Sequence, residues 1–227
     1  MASTPDIGPD WPPSLNVTSL PRTEIEIAVN ISVRLMSFNS YLATFNSAIQ
    51  LFDFCQTEDG RRIGGGWQFI AGRDGAMTIW HIGQSMQTIR ARLNKLECPV
   101  LVDLIDFSHT REALRQFKAS FPEFYDLRIA VAHSGEIFGD MEHAVKGPYS
   151  QMGLKINEGA STWFQSSFVG RSFVNTFEGK LLSYELSKAS FDELNRIKKL
   201  FFLAFAGASE ELAKRASSGA ANPTKPA

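Results

Sequence analysis

The sequence predicts a mainly α-helical fold: a helical bundle with two long antiparallel helices and a small β-hairpin before the C-terminal helix. Two observations lead to this prediction. Apolar residues recur at alternating steps of three and four over two long stretches, 28–52 and 79–96, which is the spacing of helices that pack lengthwise. Near residues 171–187, two β-rich runs flank a Glu-Gly-Lys triplet, which is typical of a hairpin.

The chain begins with a proline-rich arm, residues 1–22, in which the prolines disfavour a regular helix. Thr23 and Glu26 have the spacing of a capping box and predict the start of the first long helix. The apolar face of this helix consists of Ala28, Ile31, Leu35, Phe38, Leu42, Phe45, Ile49 and Phe52. The glycine-rich connector "TEDGRRIGGG" ends the helix.

The second long helix has a matching apolar face. Its members are Ile79, Ile82, Met86, Ile89, Leu93 and Leu96. Extended toward the N-terminus, this face reaches Gly75 and Gly72, and glycine at such a position lets a neighbouring ring or backbone approach closely. Two matching faces joined by a short connector predict an antiparallel helical hairpin.

The next segments predict two shorter helices. The stretch "SHTREALRQFKASF" forms the third helix, and Pro122 stands where the fourth helix begins. Phe124, Leu127 and Val131 give the fourth helix its apolar face, and Gly135 is placed to cap its C-terminus. The following residues, 136–167, have mixed composition and predict loops.

A final helix completes the predicted domain. Ser190 and Glu193 have capping-box spacing and predict where this helix begins. The apolar stretch "FFLAFAG" within it predicts either deep core or a subunit interface. We therefore expect one helical-bundle domain over residues 23–216, followed by a disordered tail of residues 217–227.

Composition limits the classes of function. The net charge of −1 argues against binding of long nucleic acid by bulk electrostatics, although a local basic patch can hold a short RNA. The two cysteines belong to no Cys/His cluster, which predicts reduced thiols, no metal site and no cofactor. No apolar run reaches membrane-spanning length, and no secretory signal precedes the domain. We expect a cytoplasmic protein that does not bind membranes.

Arg128 and His133 are the main candidates for catalysis, in the stretch "YDLRIAVAHSGE" at the end of the fourth predicted helix. Five residues turn a helix through about 500°, so the two side chains lie about 140° apart and flank one side of the helix end. There the helix dipole favours a protonated imidazolium. A histidine can transfer a proton, and an arginine can neutralise charge on a phosphorane. Because one such pair is a small site, we expect a two-fold homodimer that presents two copies.

The stretch "LRIAVAHS", late in an arrangement of four helices, resembles the R-x4–6-H motif of the HEPN superfamily. The resemblance covers Thr23 to Gly135 and implies helical bundles with two long helices that dimerise around the motif. Many such proteins are RNA-cleaving toxins or defence and RNA-processing nucleases, whereas others are non-catalytic adaptors or nucleotide-binding partners. The resemblance implies that Arg128 and His133 are the catalytic pair of a metal-independent endoribonuclease with RNA as its ligand.

A non-catalytic reading of the same motif remains open. In it, the chain is a dimerising helical module, Arg128 pairs with a nearby acid, and His133 caps carbonyl groups at the helix end. Ile129 favours this alternative, because the HEPN motif usually has a polar residue directly after the arginine. The near-neutral net charge favours it too. The sequence names no protein partner in either case.

Further polar residues are candidates for binding. Asp74, Thr78, His81, Ser85 and Thr88 form a polar stripe beside the second apolar face. Such stripes are commonly a solvated shoulder or a hydrogen-bond network between helices. The functional interpretation places Asp74 and His81, with Arg73, at the end of the fourth helix. We therefore expect the binding residues Arg73, Asp74, His81 and Ser134.

Two weaker features complete the candidates. A ligand pocket lined by Trp67, Trp80 and Trp163 has no specific support beyond the presence of aromatic residues. A modest basic patch is predicted from Arg90, Arg92, Lys95, Arg111, Arg115 and Lys118. Solvated helix faces commonly carry such charges, so the patch alone does not indicate a ligand.

Overall fold

The structure of the protein, a computed structural model, describes residues 8–63, 66–132, 145–146, 161–162 and 164–220. The predicted mainly α-helical class with a small sheet before the last helix is confirmed. In the described ranges the α-helices are α1 (Arg22–Gln56), α2 (Glu58–Ile63), α3 (Gly66–Arg92), α4 (Pro99–Asp103), α5 (Phe107–Ser120), α6 (Phe124–Ala132) and α7 (Lys188–Ala220). The strands there are β1 (Val145–Lys146), β2 (Ser161–Thr162), β3 (Ser167–Val169), β4 (Ser172–Phe177) and β5 (Lys180–Glu185).

The chain divides into two compact units. The first unit contains Met1–Ser40, Ile82–Ala119 and Glu193–Ala227, and the second contains Tyr41–His81 and Ser120–Asp192. Helices α1, α3, α5 and α7 therefore contribute residues to both units. The expectation of a single domain stays a prediction.

The core of the first unit is rich in phenylalanine. Phe38 of α1 stacks on Phe201 of α7 with ring centroids 5.7 Å apart, and meets Phe202 edge-on at 5.8 Å. These rings are fully buried, and so are the residues of the predicted apolar faces that lie in α1 and α3 within this unit. Since aromatic pairs in these geometries add to the free energy gained by burial, "FFLAFAG" serves as core of this unit.

In the second unit, α1 and α3 run antiparallel. Near the end of α1, Phe54 lies 6.4 Å from Trp67 at the start of α3. Tyr41, earlier in α1, stacks on His81, later in α3, at 5.3 Å. The order of these contacts along the two helices is the one that the sequence predicts for a helical hairpin.

The sheet of the second unit packs closely against α3. Strands β3, β4 and β5 form an antiparallel sheet in that order, and Glu178 and Gly179 make the β4–β5 turn with positive φ angles of 47° and 72°. This is the predicted hairpin, and β3 adds a third strand to it. A methyl group at Gly72 would overlap the ring of Phe173, and one at Gly75 would overlap the hydroxyl of Tyr184. The predicted close approach at both glycines is confirmed.

Several helix boundaries differ from the predictions. The apolar face of α3 does not extend to Leu96, because α3 ends at Arg92 and Leu96 is 92% exposed. Helix α7 begins before Ser190, whose amide donates to Ser187 Oγ, so Ser187 takes the capping role. Residues 217–220, predicted to be disordered, continue α7.

Two further elements were not predicted. The stretch "ECPVLVD" contains the short helix α4, and the pair β1–β2 forms within residues predicted to be loops. The carboxylate of Glu24 accepts bonds from the amides of Val100 and Leu101, at 3.2 and 2.9 Å. It thereby caps the first turn of α4 from 77 residues away in the sequence.

Candidate functional site

Arg128 lies on α6, which packs against β4 and β5 of the second unit. The apolar side of α6 is buried through Phe124, Leu127 and Val131, as the sequence predicts. Arg128 stands beside this face and is half-buried, with its guanidinium carbon 5.1 Å from the centre of the Trp80 ring. A cation over an indole face is attracted by the ring's negative charge density, so Trp80 of α3 fixes where the guanidinium lies.

The charge of Arg128 is not matched by an acid in the described part of the chain. Its Nε atom is buried and has no hydrogen-bond partner. None of the salt bridges among the described residues includes Arg128. A buried donor without a partner costs free energy, and the same donor is therefore available to an anion that enters the site.

His81 is the titratable neighbour of this arginine. Its ring stacks on Tyr41 at 5.3 Å with an interplanar angle of 12°, and it meets Trp80 edge-on at 4.7 Å. Burial lowers the pKa of His81, and the positive charge of Arg128 lowers it further. Both causes disfavour the imidazolium, so His81 is held neutral near neutral pH and can accept a proton or a hydrogen bond.

Arg73 and Asp74 lie at the C-terminal end of α6. Arg73 Nη2 donates to the carbonyl oxygen of Val131 at 3.4 Å, so it contacts the last turn of that helix. Both residues line a cavity of about 310 Å³ together with Ile70, Met77, Val131 and Ala132. This volume lies within the range of small-molecule sites, and its polar lining comes from one cation and one carboxylate.

The structure places four of the sequence-predicted site residues on or beside α6, with Arg128 on the helix itself. Arg73 and Asp74 lie at its C-terminal end, and His81 lies within electrostatic reach of Arg128. The other two, His133 and Ser134, lie outside the described residues. In the polar stripe, Thr78 and Ser85 are buried while Asp74 is exposed, so the stripe is not uniformly part of a site.

Sequence reasoning missed the aromatic side of the site. Tyr41 was not a candidate, because it lies next to the apolar face of α1 and belongs to no group of polar residues at helical spacing. Trp80 was considered as one of three tryptophans that line a pocket, and not as a partner of Arg128. The adjacent pair Trp80-His81 could have indicated this aromatic side, because consecutive residues place an indole and an imidazole on adjacent sides of one helix. Of the three tryptophans considered for a pocket, Trp67 is exposed, Trp80 lies under Arg128, and Trp163 is outside the described residues.

No three His, Cys, Asp or Glu side chains of the described residues are grouped as ligands for a metal ion. None of the helices in the described ranges is both long and apolar enough to cross a membrane. Comparisons of the chain with models of protein families, with curated proteins and with solved structures find no match.

Proposed function

We propose that this protein is a HEPN-like homodimer that binds RNA and cleaves it without a metal ion at a site built from Arg128 and His133. The observation that supports the proposal most is the state of Arg128. Its half-buried guanidinium is held by Trp80 and has no carboxylate partner among the described residues. Guanidinium donors match the geometry of phosphate oxygens, so an arginine left without an acid is suited to a phosphate.

The proposed reaction is an internal transesterification. His133 takes the proton of a ribose 2′-hydroxyl, the 2′-oxygen attacks the adjacent phosphorus, and the bond to the 5′-oxygen breaks. The leaving 5′-oxygen takes a proton from water, the protonated His133 returns its proton to the hydroxide that remains, and the products are a 2′,3′-cyclic phosphate and a 5′-hydroxyl. Arg128 neutralises the charge that develops on the non-bridging phosphate oxygens. Arg73, Asp74, His81 and Ser134 would bind the rest of the RNA.

We place this activity in the cytoplasm. Cys55 and Cys98 are both buried and free. Burial raises the pKa of each thiol and disfavours the reactive thiolate. Unpaired thiols are common in a reducing compartment, and this supports the assignment.

The test is an RNA cleavage assay with purified wild-type protein, Arg128→Ala and His133→Ala, each with and without a chelator. We expect chelator-resistant cleavage that leaves 2′,3′-cyclic phosphate ends and is reduced at least about 100-fold in both variants. Arg62→Ala, an exposed arginine of α2, and His109→Ala, on α5, are the matched controls and should cleave like the wild type.

Cleavage that survives both substitutions, or that a chelator abolishes, would contradict the proposal. A dimeric and folded wild-type protein that leaves every RNA intact would instead favour the non-catalytic dimerising module.

A further inference from the structure

A second basic feature lies in the first unit, on α3 and α5. The last turns of α3 and one face of α5 border an open cleft of about 520 Å³. Four basic residues line it: Arg90 from α3, and Arg111, Arg115 and Lys118 from α5. The described residues that line this cleft include no carboxylate and no aromatic ring.

The three basic residues of α5 share one side of that helix. Steps of four and three residues from Arg111 to Arg115 and Lys118 keep the side chains within about 60° of one another. Leu114, between them, is buried and anchors this side of α5. Arg90 lies in the last turn of α3 and faces the same cleft. The cations are therefore arranged in a row along the cleft.

Among the described residues, Arg115 is the one of these four basic residues that forms a salt bridge. Arg115 forms a two-point salt bridge with Glu112, through Nε at 2.8 Å and Nη2 at 2.5 Å. Hydrogen bonds from Arg115 and Gln116 lower the pKa of Glu112 to about 2, so this carboxylate is ionised at neutral pH. Arg90, Arg111 and Lys118 take part in no salt bridge among the described residues.

We propose that this cleft binds a chain of phosphate groups. Three cations that form no salt bridge within the described ranges repel one another, and an anion with several negative charges relieves that repulsion. Arg111 and Lys118 begin about 10 Å apart along the helix axis, so a ligand that engages both needs more than one phosphate. Since no aromatic ring lines the cleft to stack a base, recognition rests on phosphate and not on sequence.

Two sources supply such a chain of phosphates: the backbone of a single-stranded nucleic acid and a free oligophosphate. The cleft shares no residue with the Arg128 site, because its lining residues belong to the first unit and the residues of the Arg128 site belong to the second. RNA cleavage and phosphate binding at this cleft can therefore succeed or fail separately, and the experiment keeps them apart.

The test compares the wild type with a double variant, Arg111→Ala with Lys118→Ala. Binding of a fluorescent oligouridine is measured by anisotropy at several salt concentrations, and binding of inorganic tripolyphosphate is measured by calorimetry. We expect the double variant to bind at least one of the two probes about tenfold more weakly. If the probe is oligouridine, its salt slope falls by about 1.4, since each lost contact to a single strand contributes about 0.7.

The matched control removes the same charge elsewhere in the first unit. Arg22→Ala with Lys214→Ala changes two exposed basic residues, one at the start of α1 and one near the end of α7, and should bind like the wild type. All measurements are repeated in the Arg128→Ala background, which removes the proposed phosphate contact and the cleavage at the other site. Circular dichroism of each variant confirms that the helices are retained.

The arms of the experiment separate the two sources. Weaker oligouridine binding in the double variant, with the control unchanged, assigns the cleft to nucleic acid, and weaker tripolyphosphate binding alone assigns it to a free oligophosphate. The proposal is overturned if neither probe binds the wild type, or if the double variant and the control lose binding equally.

Discussion

At the scale of single residues, one aromatic surface affects two basic side chains in different ways. Trp80 holds the Arg128 guanidinium over its face and meets the ring of His81 with its edge. Burial and the charge of Arg128 lower the pKa of His81. The result is a charged group beside a neutral one. This division of roles suits a site in which one residue neutralises a phosphate and another accepts a hydrogen bond.

The lowered pKa of His81 predicts a pH dependence of stability. Since the folded pKa lies below the unfolded value of about 6.5, the unfolded state binds more protons as the pH falls through this window. The wild type should therefore lose free energy of unfolding between about pH 7.5 and pH 5.5. His81→Gln should lose less over the same interval, as measured by urea denaturation at each pH.

His109→Gln, on α5, is the control for the loss of a histidine as such. Equal losses of the free energy of unfolding in His81→Gln and the wild type on acidification would contradict the lowered pKa of His81.

At the scale of elements, the close contact between α3 and β4 requires glycine at position 72. A Cβ at Gly72 would overlap the ring of Phe173, which is fully buried. Gly72→Ala should therefore lower the free energy of unfolding by about 1–3 kcal/mol, because overpacking outweighs the gain in helix propensity. Adding Phe173→Leu should recover part of this loss, since the smaller side chain leaves room for the methyl group.

Gly207 in α7 offers a matched control for Gly72→Ala. A Cβ there would have no atom within 4 Å, so only the helix propensity changes. Gly207→Ala should raise the free energy of unfolding by about 0.5–1 kcal/mol. Urea denaturation of both variants checks the two signs, and a loss at Gly207 or a gain at Gly72 would contradict the packing argument.

Glu24 stabilises the first turn of α4. Its side chain is 1% exposed and its two oxygens accept from the amides of Val100 and Leu101. Glu24→Ala should lower the free energy of unfolding by about 1–3 kcal/mol, because two amides lose a charged acceptor. Glu26→Ala, two residues later and exposed, is the control and should change it by about 0.5 kcal/mol or less. Equal losses in thermal or urea denaturation would refute the capping role.

The elements that the sequence predicted well are those with a repeating apolar pattern. The faces of α1 and α3 follow from local spacing, because burial of one helix side requires an apolar residue every three or four positions. The turn at Glu178 and Gly179 follows from local composition, because its positive φ angles favour glycine. Helix ends were less predictable. The start of α4 depends on Glu24, and α7 begins at Lys188 because the hydroxyl of Ser187 accepts a hydrogen bond from the Ser190 amide. Such contacts are set by tertiary structure or by competition between adjacent caps.

The candidate site was predictable in part for the same reason. Arg128, His81 and Arg73 were found because polar and charged side chains stand out beside apolar faces. The positions of Trp80 and Tyr41 against them depend on the packing of α6 and α1 around α3 in the second unit, which no local pattern encodes.

At the scale of the whole molecule, a net charge of −1 conceals strong local differences. In the first unit, Arg90, Arg111 and Lys118 have no salt-bridge partner among the described residues, and in the second unit Arg128 has none either. Local potential and not net charge governs encounters with a small anion. The sequence argument that near-neutral charge disfavours nucleic acid therefore applies to long duplexes and not to a short strand bound at one cleft.

The proposed homodimer makes a prediction that only the assembled protein can test. We assume that each active site combines Arg128 of one chain with His133 of the other. A homodimer of Arg128→Ala chains then has no Arg128 at either site, a homodimer of His133→Ala chains has no His133, and both are inactive. When the two variants are mixed and exchange subunits, random pairing turns about half of the dimers into heterodimers. Each heterodimer keeps one Arg128 and one His133, so the mixture should recover part of the wild-type cleavage. Sedimentation of tagged and untagged chains verifies that exchange took place. A wild-type chain that is active while monomeric would place the whole reaction within a single chain. Verified heterodimers that remain inactive would contradict a site shared between two chains.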